Sequence, residues 1–354
     1  MALLTASAMN HQTLSAQNTP VTNAEAQKLS IQLEESINKG DPEVLNHLIY
    51  FPEFITRTRS RSHLIDNMDT LIKIANGFGL FNIGNSTLEI TKNGSFRLVH
   101  AFVKNEEMHL LFRAFGDGGL NYQDITLIKV KDSIRVVDIF SYQLGESYAR
   151  LFSYLIEDMK TPDAHSSMTS REKYGKIFEN ALRHKNYSVA KSAFEKFDDQ
   201  TQNDKHLSLQ YMLACQQLGE KSFRKSMDRF ISLFPEEPTP YLLMMKEYAD
   251  TKEYRDYSQA IDKLDTLLHF DPFLNYLRGN VVMKLGDLQA GLHFYEAAFD
   301  YDPGIWQNTE KLVACKVVNN ELVQANKAIN LYIHTPGYRK ELVEALYADY
   351  PVLK

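Results

Sequence analysis

From Asn23 to Asn38 apolar residues recur at Ala26, Leu29, Leu33 and Ile37, a spacing that gathers them on one side of a helix. Lys39-Gly40-Asp41 stops that helix, and Asp41 followed by Pro42 reads as the N-cap and first position of a second, running to about Ile49. A third helix is predicted over about Ser62 to Asn76, with Leu64, Ile65, Met68, Leu71, Ile72 and Ala75 on its apolar side. After Gly79 the period changes to two. Strands are predicted at about 80–91, 96–104, 108–115, 120–130 and 134–141, separated by Asn93-Gly94, Asn105-Glu106, Gly116 to Gly119 and Lys131 to Ser133. Short turns of this chemistry join antiparallel neighbours, so three helices and a meander of about five strands form one α+β unit. A helix from Glu146 to Met159 closes it, and Lys160 to Ser170, rich in Thr, Ser, Pro and Asp, reads as a linker.

Beyond the linker the period returns to helical and recurs on a larger scale. Asp271 to Pro303 reads as one helix-turn-helix unit with Gly279 and Val282 in its first helix, a Gly286-Asp287 turn, Gly291, Tyr295 and Ala298 in its second, and a closing Asp302-Pro303. Tyr241 to Pro272 repeats the pattern through Tyr248, Ala260, Leu264 and Asp271-Pro272. Leu207 to Pro235 offers Tyr211, Ala214, Leu218-Gly219 and Met227, and Glu172 to Phe197 offers Phe178, Ala181, Ala190 and Phe194. Trp306 to Tyr332, around Ala325, reads as a last hairpin before a terminal helix from about Arg339 to Tyr347. Such a unit cannot bury its own apolar face and must stack on neighbours.

These offsets resemble the tetratricopeptide repeat, a unit of about 34 residues with small residues where its two helices touch and proline after the second. The resemblance implies an all-α solenoid whose concave side grips a peptide or protein partner. Its lining would come from the first helices of the hairpins: Tyr241, Met244, Met245 and Tyr248 in one, Asn275, Arg278 and Asn280 in the next. The front half, helices before a long antiparallel sheet, resembles the nuclear transport factor 2-like (NTF2-like) α+β cone, carried by the opening segment Glu25 to Ile49 and covering roughly residues 23 to 145. That fold hosts enzymes, ligand-binding modules and dimers alike. The pairing of the two is similar to a group of bacterial proteins that join such a domain to tetratricopeptide hairpins, through Gly118 to Leu127 and Arg135 to Phe140. The expected architecture is therefore two-domain: a leader at 1–22, the α+β cone at 23–159, the linker at 160–170 and the helical array at 171–350.

Chemistry narrows the picture further. If Lys131 to Ser133 form the turn, Val130 faces Ile134, and counting back sets Thr126 opposite Asp138, Asp124 opposite Phe140 and Tyr122 opposite Tyr142. Tyr122, Asp124, Thr126, Asp138 and Tyr142 would then share one face. On the inside of a cone, Asp138 is a candidate general base and Tyr122 or Tyr142 a donor to a developing oxyanion, the arrangement an isomerase or cyclase uses. The plainer alternative is that Asp138 satisfies a backbone donor. The hairpin across Asn105-Glu106 places His100, His109, Phe96, Phe102, Leu111 and Phe115 on one face and Val99, Val103, Met108, Leu110 and Phe112 on the other. Neither face is polar, so something must cover the outer one: the array folded back, or a second subunit.

The chain has 354 residues and 44% hydrophobic content, enough for more than one core, and a net charge of −6 with no run of Lys or Arg that would mark a nucleic-acid partner. Arg57, Arg59 and Arg61 form its one tight basic cluster. Cys215 and Cys315 lie in apolar helical runs and read as buried thiols, and without a CxxC or HxxxH pair neither a metal nor a cofactor is implied. There is no apolar run long enough to span a membrane. Met1 to Pro20 lacks the basic and apolar regions of a secretory signal, which favours a disordered leader and a cytoplasmic location, with a periplasmic one if an upstream signal is missing.

Overall fold

The structure, a computed structural model, describes residues 20–59, 68–77, 82–158 and 170–354. The leader up to residue 19, Arg61, and the linker through residue 169 lie outside the described residues. Among the described residues five helices precede the sheet: α1 (Asn23–Asn38), α2 (Glu43–Leu48), α3 (Phe51–Arg59), α4 (Met68–Gly77) and α5 (Ile83–Thr91). Thr22 and Glu25 close a capping box on α1, each accepting from the other's backbone N–H, an arrangement whose cap alone stabilises by about 1 kcal/mol. Val21, placed by the sequence in the leader, is buried in the core beside this helix.

The first predicted strand is in fact α5. Its apolar and β-branched residues alternate in places, but Thr87 and Thr91 turn their hydroxyls back onto the carbonyls of Ile83 and Thr87, so they satisfy themselves inside a helix. Gly84 lets α5 lie against α2, since a Cβ there would sit 2.4 Å from the Pro42 carbonyl oxygen.

The sheet runs β1 (Ser95–Lys104), β2 (Glu107–Gly116), β3 (Gly119–Val130), β4 (Ser133–Ser141) and the two-residue β5 (Glu146–Ser147), all antiparallel neighbours in chain order. The Lys131-Asp132 turn is one residue shorter than expected, so Val130 pairs with Ser133. A bulge at Val137, across from Thr126 and Leu127, then restores the expected register, with Thr126 opposite Asp138 and Asp124 opposite Phe140. A second bulge, between Leu98 and His100, changes the faces of β1. Phe96 therefore joins Leu110, Phe112 and Ala114 under α1, α2 and α5, whereas Phe102 and Val99 join Leu111 and Phe115 on the other side.

Helix α6 (Tyr148–Asp158) packs with α3 and α4 at one end of the sheet, around Phe54, Leu71 and Phe152. The rest of the chain is helical: α7 (Ser170–Arg183), α8 (Tyr187–Phe194), the short α9 (Asp199–Gln202), α10 (Lys205–Gln216), α11 (Glu220–Leu233), α12 (Thr239–Thr251), α13 (Tyr254–Leu267), α14 (Leu274–Lys284), α15 (Leu288–Tyr301), α16 (Trp306–Val318), α17 (Leu322–Ile333) and α18 (Lys340–Asp349), ending in a 3₁₀ turn at Pro351–Leu353.

These form five hairpins, α7/α8, α10/α11, α12/α13, α14/α15 and α16/α17. Each turns on one residue of left-handed backbone: Lys185, Gly219, Lys252, Gly286 and Asn320, spaced 34, 33, 34 and 34 residues apart. That recurrence makes the helical half a tetratricopeptide-like array on its own geometry. Within α14/α15 the small position is strictly required, because a Cβ on Gly279 would lie 2.5 Å from the Tyr295 ring.

Candidate functional site

The starts of the first helices meet the sheet. On β1 and β2, Arg97 and Arg113 are directly opposite each other in the ladder. Arg113 donates to Asp271 at 2.6 Å and Arg97 to Asp302 at 3.0 Å. Asp271 and Asp302 open the two Asp-Pro corners that follow α13 and α15, so two facing arginines hold two successive corners of the array. Glu34 of α1 also accepts from Arg97.

The inner pair is dry: neither the Arg113 nor the Asp271 side chain has any solvent exposure. Asp271 also accepts from the Tyr122 hydroxyl at 2.8 Å and from the Phe273 N–H. The Arg113 Nε and second terminal nitrogen have no hydrogen bond, and the guanidinium instead lies 4.2 Å over the Phe273 ring. A guanidinium over a ring face is attracted by the ring quadrupole, more strongly when the cation is withdrawn from water. Around this centre Phe115 meets Phe273 at 4.7 Å, Gln307 and Arg339 both donate to Asn93 at 2.6 Å, and His206 of α10 stacks on Tyr154 of α6. The array thus occupies the sheet face that the sequence left for either an array or a second subunit.

The polar set read from the strands is placed as follows. Tyr122 is buried and donates to Asp271, and burial together with that carboxylate raises its pKa well above 10.0. Asp124 is hydrogen-bonded to His109 at 2.7 Å. Asp138 accepts from the N–H groups of Ile139 and Ala149, so it caps the first turn of α6. Tyr142 donates its backbone N–H to the Tyr122 carbonyl, and its hydroxyl pKa is raised by burial and by Asp124. Thr126, Asp138 and Asp124 do share a register, but the two carboxylates answer to different partners.

Of the seven residues read as groove lining, Tyr241, Met245 and Tyr248 are buried, while Met244, Asn275, Arg278 and Asn280 are half-buried. Arg278 pairs with Asp262 and Asp265 and donates to Asn275, and Asp265 in turn accepts from the Asp271 N–H. Asn280 accepts from the Tyr295 hydroxyl. These side chains build the Asp271-Pro272 corner and the α14/α15 contact. Arg57, from the basic cluster, pairs with Glu107 and Glu53. Both cysteines are buried, and burial raises both thiol pKa values.

Sequence reasoning missed Arg97 and Arg113. The signal was available in that Arg113 stands between Leu111 and Phe115 at strand spacing, and in that the Asp-Pro pair recurs at 271–272 and 302–303. What the sequence could not supply was that these two patterns meet.

The opposite edge of the array, with its intra-hairpin turns, stays on the surface. Leu218, Leu285 and Val318 stand there exposed, each just before a turn. Among the described residues no helix is long and apolar enough to cross a membrane, and no group of three or more His, Cys, Asp or Glu side chains is placed to hold a metal ion.

No protein-family model matches the chain, and no curated protein matches it. Solved structures that are similar include MamA from Desulfovibrio magneticus RS-1, 17% identical, covering 51% of this chain and 98% of its own, with a TM-score of 0.37. A crystal structure of MamA protein is 16% identical over 51% of this chain and 95% of its own, with a TM-score of 0.38. PilW, a widely conserved type IV pilus biogenesis factor, is 13% identical over 53% of this chain and 90% of its own, with a TM-score of 0.33.

Proposed function

We propose that this chain is a non-catalytic interaction scaffold, in which a tetratricopeptide-like array binds a peptide or protein partner and the sheet domain, an NTF2-like cone, serves as its base. The observation that carries this reading is the division of the array into two edges: one is tied to the sheet through Arg97, Arg113, Asp271 and Asp302, and the other presents Leu218, Leu285 and Val318 to solvent. Exposed apolar side chains recurring along a rigid surface are what a partner buries. The competing reading, proton abstraction by Asp138, has weaker support, because that carboxylate already accepts two backbone N–H bonds at the start of α6.

The test uses the whole chain, because removing the array would bare the apolar sheet face. Cross-linking capture from native cells should recover a saturable partner with the wild-type chain. The triple variant Leu218→Asp, Leu285→Asp, Val318→Asp should lose it while melting at the same temperature. Recovery of no saturable partner by the wild type would sink the scaffold reading.

A further inference from the structure

The second helices of the hairpins can be compared position by position, since each begins just after the same left-handed turn. The second residue of these helices is Ser188, Lys221, Arg255 and Gln289 in α8, α11, α13 and α15, all exposed and all polar. In α17 it is Val323, 81% exposed. The tenth residue is Arg229, Lys263 and Ala297 in α11, α13 and α15, but Leu331 in α17, 47% exposed. An apolar residue in one such place means little. Two on one stripe, where the sister helices carry mostly charge or amide, mark a face built differently from the others.

Val323, Lys327 and Leu331 are spaced i, i+4 and i+8, so they form a single ridge about 12 Å long at the 1.5 Å rise of an α-helix. Asn326, Asn330 and His334 flank it, and together the six residues line an open depression of about 560 Å³. The helix carries no Asp or Glu from Leu322 to Ile333, and Lys327 has no ion-pair partner among the described residues. The strip is thus two apolar anchors with one unpaired positive charge midway, edged by amides that can both donate and accept.

We propose that this face of α17 is a docking strip for an acidic amphipathic helix of a partner protein, a proposal that rests on the scaffold reading above. A helix can lay a ridge of the same pitch alongside, placing two apolar side chains against Val323 and Leu331 and a carboxylate between them against Lys327. Charge complementarity selects the partner. A second copy of α17 packed antiparallel about the middle of the ridge would set Lys327 against its own counterpart, which disfavours self-association.

The probe is a fluorescein-labelled, stapled helical peptide with two leucines spaced as Val323 and Leu331 are and glutamate midway, titrated into the full-length chain by anisotropy. It should bind at least about tenfold more tightly than the same peptide with lysine midway, a difference worth about 1.4 kcal/mol. Lys327→Glu should reverse that preference. Val323→Asp with Leu331→Asp should abolish binding with an unchanged circular dichroism melt, as both residues are on the surface. The proposal is overturned by equal binding of the two peptides, by no saturable binding, by binding that survives the double variant, or by sedimentation showing that the strip joins two copies of this chain. Native partners captured by the wild type and kept by the double variant would also overturn the strip while leaving the scaffold reading intact.

Discussion

The two faces of the sheet are buried by different means. Under α1, α2 and α5 the contact is mostly apolar and carries no buried charge at its centre: Phe96 and Phe112 stack at 4.4 Å among Leu33, Leu110 and Ile125, and the neutral Thr87 and Gln123 side chains bond each other. Against the array the centre is an ion pair inside an aromatic shell, Arg113 with Asp271, Tyr122 and Phe273. Both faces exclude water, but only the second makes burial conditional on an opposite charge. Apolar packing tolerates small changes of position and shape. A buried charge does not, because its desolvation is offset only while the opposite charge and its hydrogen bonds remain in place. The first face therefore supplies adhesion, and the second fixes which corner of the array meets which strand.

The sharpest way to break this contrast is Arg113→Ala, which leaves Asp271 buried without its cation and should cost about 3–5 kcal/mol in chemical denaturation. Arg97→Ala should cost far less, about 1 kcal/mol, because the Arg97 and Asp302 side chains retain 27% and 12% exposure and water can replace the lost partner. Equal losses at the two sites would remove the distinction between inner and outer clamp. A smaller change probes the apolar face: Phe112→Leu should cost under about 1.5 kcal/mol, as the neighbouring aliphatic side chains can close around a similar volume. A loss as large as that of Arg113→Ala would show that this face is as exacting as the other.

The smallest expected effect depends on pH. Burial, followed by the nearby His269, holds the His100 pKa below its usual 6.5, and the two rings are 5.8 Å apart across the seam. The folded chain then binds fewer protons than the unfolded one just below that value. This contribution is complete above about pH 6.5 and is lost as the pH falls toward the depressed folded value. Amide exchange at pH 5.5 should accelerate along β1 near the seam relative to Ile125 on the other face, and His100→Gln should reduce the acceleration. An identical acid response in that variant would remove His100 as its cause.

Several elements were legible because their determinants are local. The five hairpins could be read from small residues and turns recurring at one interval, since a repeat announces itself in sequence separation alone. The pairing of Thr126 with Asp138 and Asp124 with Phe140 was also legible, although the turn is one residue shorter than expected and the bulge at Val137 makes up the difference. Other features depended on contacts absent from the local pattern. The stretch 83–91 alternates enough to suggest a strand, yet its threonines bond within a helix and Gly84 rests on Pro42. The faces of β1 held from the hairpin turn back to His100 but not beyond it, because the bulge between Leu98 and His100 puts Val99 on the array side and Phe96 on the other. Tyr241 and Met245 look like groove residues only until neighbouring helices cover them.

By itself the sequence determined the period and order of the four long strands and of the hairpin helices, and it determined that the sheet would have two apolar faces needing cover. Those properties follow from side-chain spacing and turn chemistry, which act over a few residues. The tertiary structure alone decided what covers the second face and which charges are spent there. Arg97 is 205 residues from Asp302 and Arg113 is 158 from Asp271, and nothing in the local pattern ties such distant residues together. Their pairing is imposed when the array closes on the sheet and a charge drawn out of water must meet an opposite charge that compensates it.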